Sequence, residues 1–201
     1  MIGQMWDGKF SRDGYLYGKA PNAFLKPHID AMQSGSTLLL LGEGEGRNAC
    51  YAASKGLDVT ALDASEVGLQ KAQAMADEAG VSITTLLIDL QEWHSDVHYD
   101  AVMASFLHLE EPLRTKAFRE ALKALKPSGV FVAEFFSTKQ MPLTSGGPKN
   151  LDLLYTVESL QSIFDLEGYK IVQLEETVDL LDEGPGHQGD AQLIRVKVKK
   201  L

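Results

Sequence analysis

Seven consecutive residues, Gly42-Glu43-Gly44-Glu45-Gly46-Arg47-Asn48, concentrate most of the features from which chemistry could be built. Glycines at alternate positions permit positive φ and let a ligand approach the backbone closely. Two carboxylates are interleaved with them, and further acids follow at Asp63 and Asp89. The stretch Ser105-Phe106-Leu107-His108 adds a hydroxyl, an aromatic ring and an imidazole, and a second imidazole, His187, sits in Gly184-Pro185-Gly186-His187-Gln188-Gly189. Such a set suits the holding of a small polar ligand, with an imidazole available to orient or deprotonate a second one.

Elements that would position these residues alternate along the chain. Leu38 to Leu41 is a continuous apolar run, as in a strand buried on both faces, and it ends at Gly42. A helix is expected from about Gly46 to Lys55, stopped by Gly56, and a second strand over Asp58 to Leu62. Ser65 caps the next helix and Gly80 closes it. Strands follow at Ser82 to Ile88 and Ala101 to Ala104, then a helix from Glu111 to Leu125, broken by Lys126-Pro127-Ser128-Gly129. Val130 to Phe136 is a fifth strand and Val157 to Phe164 a helix; Tyr169 to Val178 and Ala191 to Val198 are two more strands, joined by a loop over Asp179 to Asp190. This pattern predicts an α/β, Rossmann-like open sheet of seven strands, mainly parallel, with helices on both faces and an antiparallel strand at the edge. One domain is expected over 1–201, with 1–30 as an N-terminal segment covering the site.

In such a sheet the glycine loop lies at the carboxyl end of the first strand, where ligands bind. The dinucleotide fingerprint needs glycine where this chain has Arg47. Glu43 and Glu45 would also lie near a pyrophosphate, and like charges about 6 Å apart repel by about 3 kcal/mol. S-adenosylmethionine (SAM) presents a sulfonium and an ammonium and no phosphate, so the acidic loop favours it over NAD. The alternative is that both glutamates point to solvent. Asp63 follows the loop at the distance where an acid meets a ribose hydroxyl, and Asp89 ends the next strand, where it could accept from an adenine amino group. Taken singly, each reads equally well as a turn or cap aspartate.

The net charge of −9 disfavours nucleic acid and anionic membranes as partners. One cysteine, Cys50, allows no intrachain disulfide and fits core packing in a cytoplasmic setting. No window approaches a membrane span, and no His/Cys/Asp cluster has metal-ligand spacing, so no metal is expected.

With those residues in view, the chain resembles the class I SAM-dependent methyltransferases. Gly42-Glu43-Gly44-Glu45-Gly46 is similar to that family's first motif, and Asp63, Asp89 and Lys126-Pro127-Ser128-Gly129 to later ones. Trp6-Asp7 and Tyr15-Leu16-Tyr17-Gly18-Lys19-Ala20-Pro21-Asn22-Ala23-Phe24-Leu25 resemble the small tellurite-resistance-type subgroup, related more distantly to thiopurine methyltransferases. The resemblance implies that Gly42, Gly44 and Gly46 surround the methionine part of SAM, that Asp63 holds the ribose, and that Asp89 and Leu90 meet the adenine. Tyr17 and Gly18 would close over the cofactor, with Glu43, Asn48, Ala64, Ser105 and Phe106 also against it. Leu40 departs from the pattern, since the class usually carries an acid there, and Ser128 stands where glycine is commoner.

The expected activity is methyl transfer from SAM, giving S-adenosylhomocysteine, to a small-molecule acceptor, with a sulfur, selenium or tellurium nucleophile suggested by the resemblance. A monomer or homodimer is expected. A SAM-binding regulator without turnover and an NAD-dependent oxidoreductase are the competing readings. His108 and His187 are the candidate catalytic residues on the acceptor side, although His108 reads equally well as structural. Phe106 would wall the pocket, and the loops at 145–149 and 184–189 could act as lids. Arg47 would pair with a loop glutamate or attract an anionic acceptor.

Overall fold

The computed structural model describes residues 2–201. Its centre is one seven-stranded sheet in the order β3-β2-β1-β4-β5-β7-β6. The strands are β1 (Thr37–Leu41), β2 (Asp58–Asp63), β3 (Thr84–Leu87), β4 (Tyr99–Ser105), β5 (Leu125–Phe136), β6 (Tyr169–Glu183) and β7 (His187–Lys200). β1 to β5 are parallel; β7 runs antiparallel to β5, and β6 antiparallel to β7. The helices are α1 (Ile2–Phe10), α2 (Leu25–Asp30), α3 (Arg47–Ser54), α4 (Glu66–Ala79), α5 (Leu113–Lys123) and α6 (Val157–Phe164).

Alternation within β1 explains its unbroken run of leucines. Leu39 and Leu41 enter one core with Phe118, Phe131 and Phe164, while Leu38 and Leu40 enter the other with Ile29, Ala49 and Leu69. Both faces are therefore covered by helices, α5 and α6 on one and α2, α3 and α4 on the other. Leu40, where the class pattern has an acid, is fully buried in this second core. The crossover from β1 to β2 leaves one way and β4 joins from the other, so the switch point lies at the carboxyl end of β1, beside Gly42.

The punctuation read from sequence holds at α4, where Ser65 accepts from the Gly68 N–H and Gly80 takes φ 67° after the last turn. Two expectations change. The segment 179–190, read as a loop from its Gly, Pro and Asp content, is mostly ladder: β6 and β7 stay paired up to Glu183 opposite His187, leaving a turn of three residues. Its strand character comes from partners that composition does not reveal, with Arg195 reaching Asp179 and Leu181 buried. Lys126-Pro127-Ser128-Gly129 does not precede β5 but lies within it as an irregularity, where the register jumps between Tyr99 and Ala101 and Ser128 takes φ 65°. The N-terminal segment also contains two helices, α1 and α2, that its sequence pattern did not announce.

Candidate active site

The glycine loop turns through three left-handed residues, Gly42 (φ 62°), Gly44 (φ 61°) and Gly46 (φ 90°). A side chain at Gly46 would meet the Ala72 Cα at 2.6 Å, so this glycine sets how closely α3 and α4 approach. Asp63, at the end of β2 and buried, accepts from the Gly44 N–H and the Ser65 N–H, each at 2.8 Å. Burial pushes its carboxyl above the ordinary range against these bonds. Loop and acid form one connected cradle at the ends of β1 and β2.

The loop glutamates are not aimed at the ligand space. Glu43 is buried beneath the loop and accepts from the Asn48 and Ala49 N–H groups, both at 2.8 Å, and from the Asn48 amide at 3.1 Å. It thereby caps α3, where a helix N-terminus favours an anion, while burial pushes its carboxyl up to about 6. Glu45 accepts from the Leu16 N–H at 2.7 Å and pairs with Lys71 at 3.0 Å, pinning the N-terminal segment. The donors that hold them are the Asn48 and Ala49 N–H groups of α3 for Glu43 and the sequence-distant Leu16 N–H for Glu45. Sequence reasoning used these charges as electrostatic bait for a cation; their placement makes them structural.

Asn48 links the loop to β4, donating to Ser105 Oγ at 3.2 Å. Ala64 lies against α1 at its backbone carbonyl, and α1 is fastened there by Asp7, which accepts from Ser65 Oγ (2.7 Å) and the Val67 N–H (3.1 Å). Phe10 packs over Gly44. Asp89 is partly buried and accepts from the Gln91 N–H in a tight turn, while Leu90 is buried beneath it with its carbonyl held by Lys116. Both stand at the end of β3, on the far side of β2 from the remaining site residues.

On the other side of the loop the structure gathers a second cluster. Phe106 takes φ 55°, a costly conformation for a non-glycine residue, and stacks on Phe136 at 4.6 Å. His187 lies at 4.3 Å from Phe106 and 4.4 Å from Tyr17. Tyr17 thus covers His187 and packs on Gly186, and Gly18 packs against Gly184 of the hairpin turn. The two loops read as lids meet here, Gln188 donating to the Ser145 carbonyl and Gly146 packing on His187.

His108 does not fit the role of a base. Its Nδ1–H donates to the Leu153 carbonyl at 2.6 Å and its Nε2 accepts from the Phe136 N–H, so both nitrogens serve the backbone. Desolvation among Phe135, Phe136 and Tyr155 pushes its pKa down to about 3. It braces the end of β4 together with Tyr155, whose hydroxyl donates to the Leu107 carbonyl and accepts from the Leu109 N–H.

Arg47 pairs with neither loop glutamate. It crosses to Glu183 at 2.9 Å, with both side chains largely buried. Asn22 donates through one amide nitrogen to Glu134 (2.8 Å) and Glu183 (3.1 Å), and Arg195 completes the pairing of Glu134 at 2.8 Å. Sequence reasoning missed Asn22, Glu134, Glu183 and Arg195. Glu134 alone left a signal, as one acid in the apolar run Val130 to Phe136. Cys50 is buried, with its thiol pushed up to about 11 by desolvation.

Residues 38–129 match the family described as methyltransferase domain. A ubiquinone biosynthesis O-methyltransferase of Rickettsia conorii is 33% identical over 96 residues, covering 47% of this chain; the chain spans about a third of that relative's length. Among solved structures, one described by the conversion of a disulfide bond into a thioacetal group during echinomycin biosynthesis superposes with a TM-score of 0.76 at 21% identity. It covers 100% of this chain and 92% of the other. TehB of Haemophilus influenzae gives 0.72 at 16% identity, covering 99% and 67%. The N-methyltransferase NodS of Bradyrhizobium japonicum, solved with S-adenosyl-L-homocysteine, gives 0.72 at 14%, covering 98% and 97%. Likeness at these identities is likeness of fold.

Proposed function

We propose, for a chain that has the Rossmann-like fold of the class I SAM-dependent methyltransferases and a methyltransferase-domain match over 38–129, that it binds SAM and methylates a small molecule. The observation that carries this reading is the way Glu43 caps α3. In a dinucleotide site the first N–H groups of that helix receive the pyrophosphate. Here a carboxylate of the chain's own already holds the Asn48 and Ala49 N–H groups, and the nearby cations are engaged, Arg47 by Glu183 and Lys71 by Glu45. A phosphate would therefore compete with Glu43 for the start of α3, and the cradle suits a ligand without one.

Asp63 retains lone pairs beyond the two backbone bonds it accepts, enough for the ribose hydroxyls. Gly42, Gly44 and Gly46 would flank the methionine part, Asp89 and Leu90 the adenine, and Ser105 and Phe106 the transfer side. When bound, SAM supplies an electrophilic methyl on a cationic sulfur. The chain's contribution is to hold the acceptor in line at about 3–3.5 Å and to exclude water. Resemblance of the N-terminal segment to the tellurite-resistance type suggests a sulfur, selenium or tellurium acceptor. The single buried cysteine fits a reducing, cytoplasmic setting. Among the described residues no helix is long and apolar enough to cross a membrane.

Calorimetric titration with SAM and S-adenosylhomocysteine, with NAD as control, tests this. Micromolar binding of the adenosyl ligands and none of NAD is expected. A folded protein that binds neither adenosyl ligand refutes it.

A further inference from the structure

We propose that His187 and Glu183 form a proton-accepting pair on the acceptor side of the site, and that the methyl acceptor is therefore a protic group, a hydroxyl above all. This rests on the methyltransferase reading and, within it, favours an oxygen acceptor over the sulfur, selenium or tellurium one that the family resemblance suggests.

Glu183 ends β6 and His187 begins β7, and the two are paired in register across the hairpin turn. Glu183 Oε1 receives the Asn22 amide at 3.1 Å, and Oε2 receives Arg47 at 2.9 Å and faces His187 Nδ1 at 3.4 Å. Burial pushes the Glu183 carboxyl up, but His187 and Arg47 outweigh it and hold it below its ordinary value. An ionised carboxylate can only accept, so Nδ1 must carry the hydrogen and Nε2 the lone pair.

Nε2 has no hydrogen-bond partner among the described residues, whereas both nitrogens of His108 do. Yet no side-chain nitrogen or oxygen among them is both fully buried and unpartnered. Nε2 therefore keeps its access to the outside although the residue is only 3% exposed. Tyr17, Phe106 and Phe136 wall the ring. On the remaining side stands Gly146, where a Cβ would lie 2.5 Å from the ring Cδ2 and 3.2 Å from Nε2. A side chain there would close the approach that glycine leaves.

Burial lowers the pKa of His187, so the imidazole is neutral at pH 7 and its Nε2 lone pair is available. The charged and titratable groups around it are Glu183 on β6, Arg47 on α3 and Tyr17 in the N-terminal segment. Glu134 and Arg195 stand behind Glu183, and His108 lies beyond Phe136. As the acceptor oxygen bonds to the methyl carbon, the carbon–sulfur electron pair passes to sulfur and the hydroxyl proton moves to Nε2. Glu183 then faces the imidazolium until the proton leaves to solvent. A nucleophile that arrives as an anion needs none of this arrangement. Glu183 touches no reacting atom and acts as a positioning residue.

Nitrogen-detected NMR of His187 in the full chain, with and without S-adenosylhomocysteine, tests the pair directly. The Nδ1–H tautomer is expected at pH 7, and Glu183→Gln should lower the His187 pKa by about one unit, because Arg47 is then unopposed. In parallel, His187→Gln should slow SAM-dependent methylation of a phenol about 100-fold or more, and that of 4-nitrothiophenolate, already ionised, by far less. An Nε2–H tautomer, an unmoved pKa in Glu183→Gln, or equal losses on both acceptors overturns the proposal. If neither acceptor is methylated, the tautomer and the pKa decide alone. Absent adenosyl binding by the wild-type chain would strike the cofactor reading instead.

Discussion

Replacing Asp63 by Asn separates the two duties assigned to this carboxylate. In the fold it serves the Gly44 and Ser65 N–H groups, one on each oxygen at 2.8 Å. Asparagine has one acceptor oxygen, so one of these buried donors must face an NH₂ group. Leaving such a donor unserved costs about 1–3 kcal/mol of stability, readable as a lower urea midpoint at unchanged slope. The second duty is to the ribose. Hydrogen bonds to a charged acceptor contribute about 1.5–3 kcal/mol, so the Kd for S-adenosylhomocysteine should rise about 10- to 150-fold. Calorimetry below the unfolding transition measures the second effect apart from the first. Lower stability with unchanged affinity would leave Asp63 a brace of the glycine loop and remove it from the ligand. Unchanged stability would refute the claim that its two backbone bonds hold loop and strand together.

Gly46→Ala places a Cβ 2.5 Å from the Ala72 Cβ at φ 90°, so α3 and α4 must separate. A loss of more than about 3 kcal/mol in urea unfolding is expected, and a loss under about 1 kcal/mol would show that the helices yield freely. Glu43, raised from 4.5 to about 6, makes the folded chain bind more protons than the unfolded one between those values. Its contribution is therefore most favourable below about pH 4.5 and falls by about 2 kcal/mol as pH rises through 6. Unfolding of wild type and Glu43→Gln across that window should show the wild type losing ground by that amount, and a constant difference refutes the shift. His108→Phe strips the partners from the Leu153 carbonyl and the Phe136 N–H, so a stability loss of about 2–4 kcal/mol is expected with kcat/KM changed only a few-fold. A loss of activity beyond 100-fold in a folded variant would restore His108 as a base.

The sequence by itself determined the layers and their order. Leu38 to Leu41, ended by Gly42, read as a strand buried on both faces, Ser65 and Gly80 bound α4 as their chemistry requires, and the alternation of elements implied the parallel sheet. The glycine loop and its place beside Asp63 were legible because positive φ and local spacing are properties of neighbours along the chain. The directions of Glu43 and Glu45 were not legible. Whether a carboxylate between glycines points to ligand or to helix depends on where the free N–H groups of α3 and Leu16 lie.

Only the tertiary structure brought together Asn22, Arg47, Glu134, Glu183 and His187, from the N-terminal segment, α3, β5 and the β6–β7 turn. Composition also misread that turn as a loop, because the pairings that make it a ladder, Arg195 with Asp179 and Glu183 beside His187, are long-range or across-strand. In sequence nothing decided between the two histidines: His108 follows Phe106 after a strand and His187 lies in a glycine-rich stretch, and neither position reveals its hydrogen-bond partners. What separates them is hydrogen bonding: backbone takes both nitrogens of His108, while Glu183 takes one nitrogen of His187 and leaves the other free. Burial and partner geometry are properties of the packed chain, and they, not residue type, decide which imidazole can accept a proton.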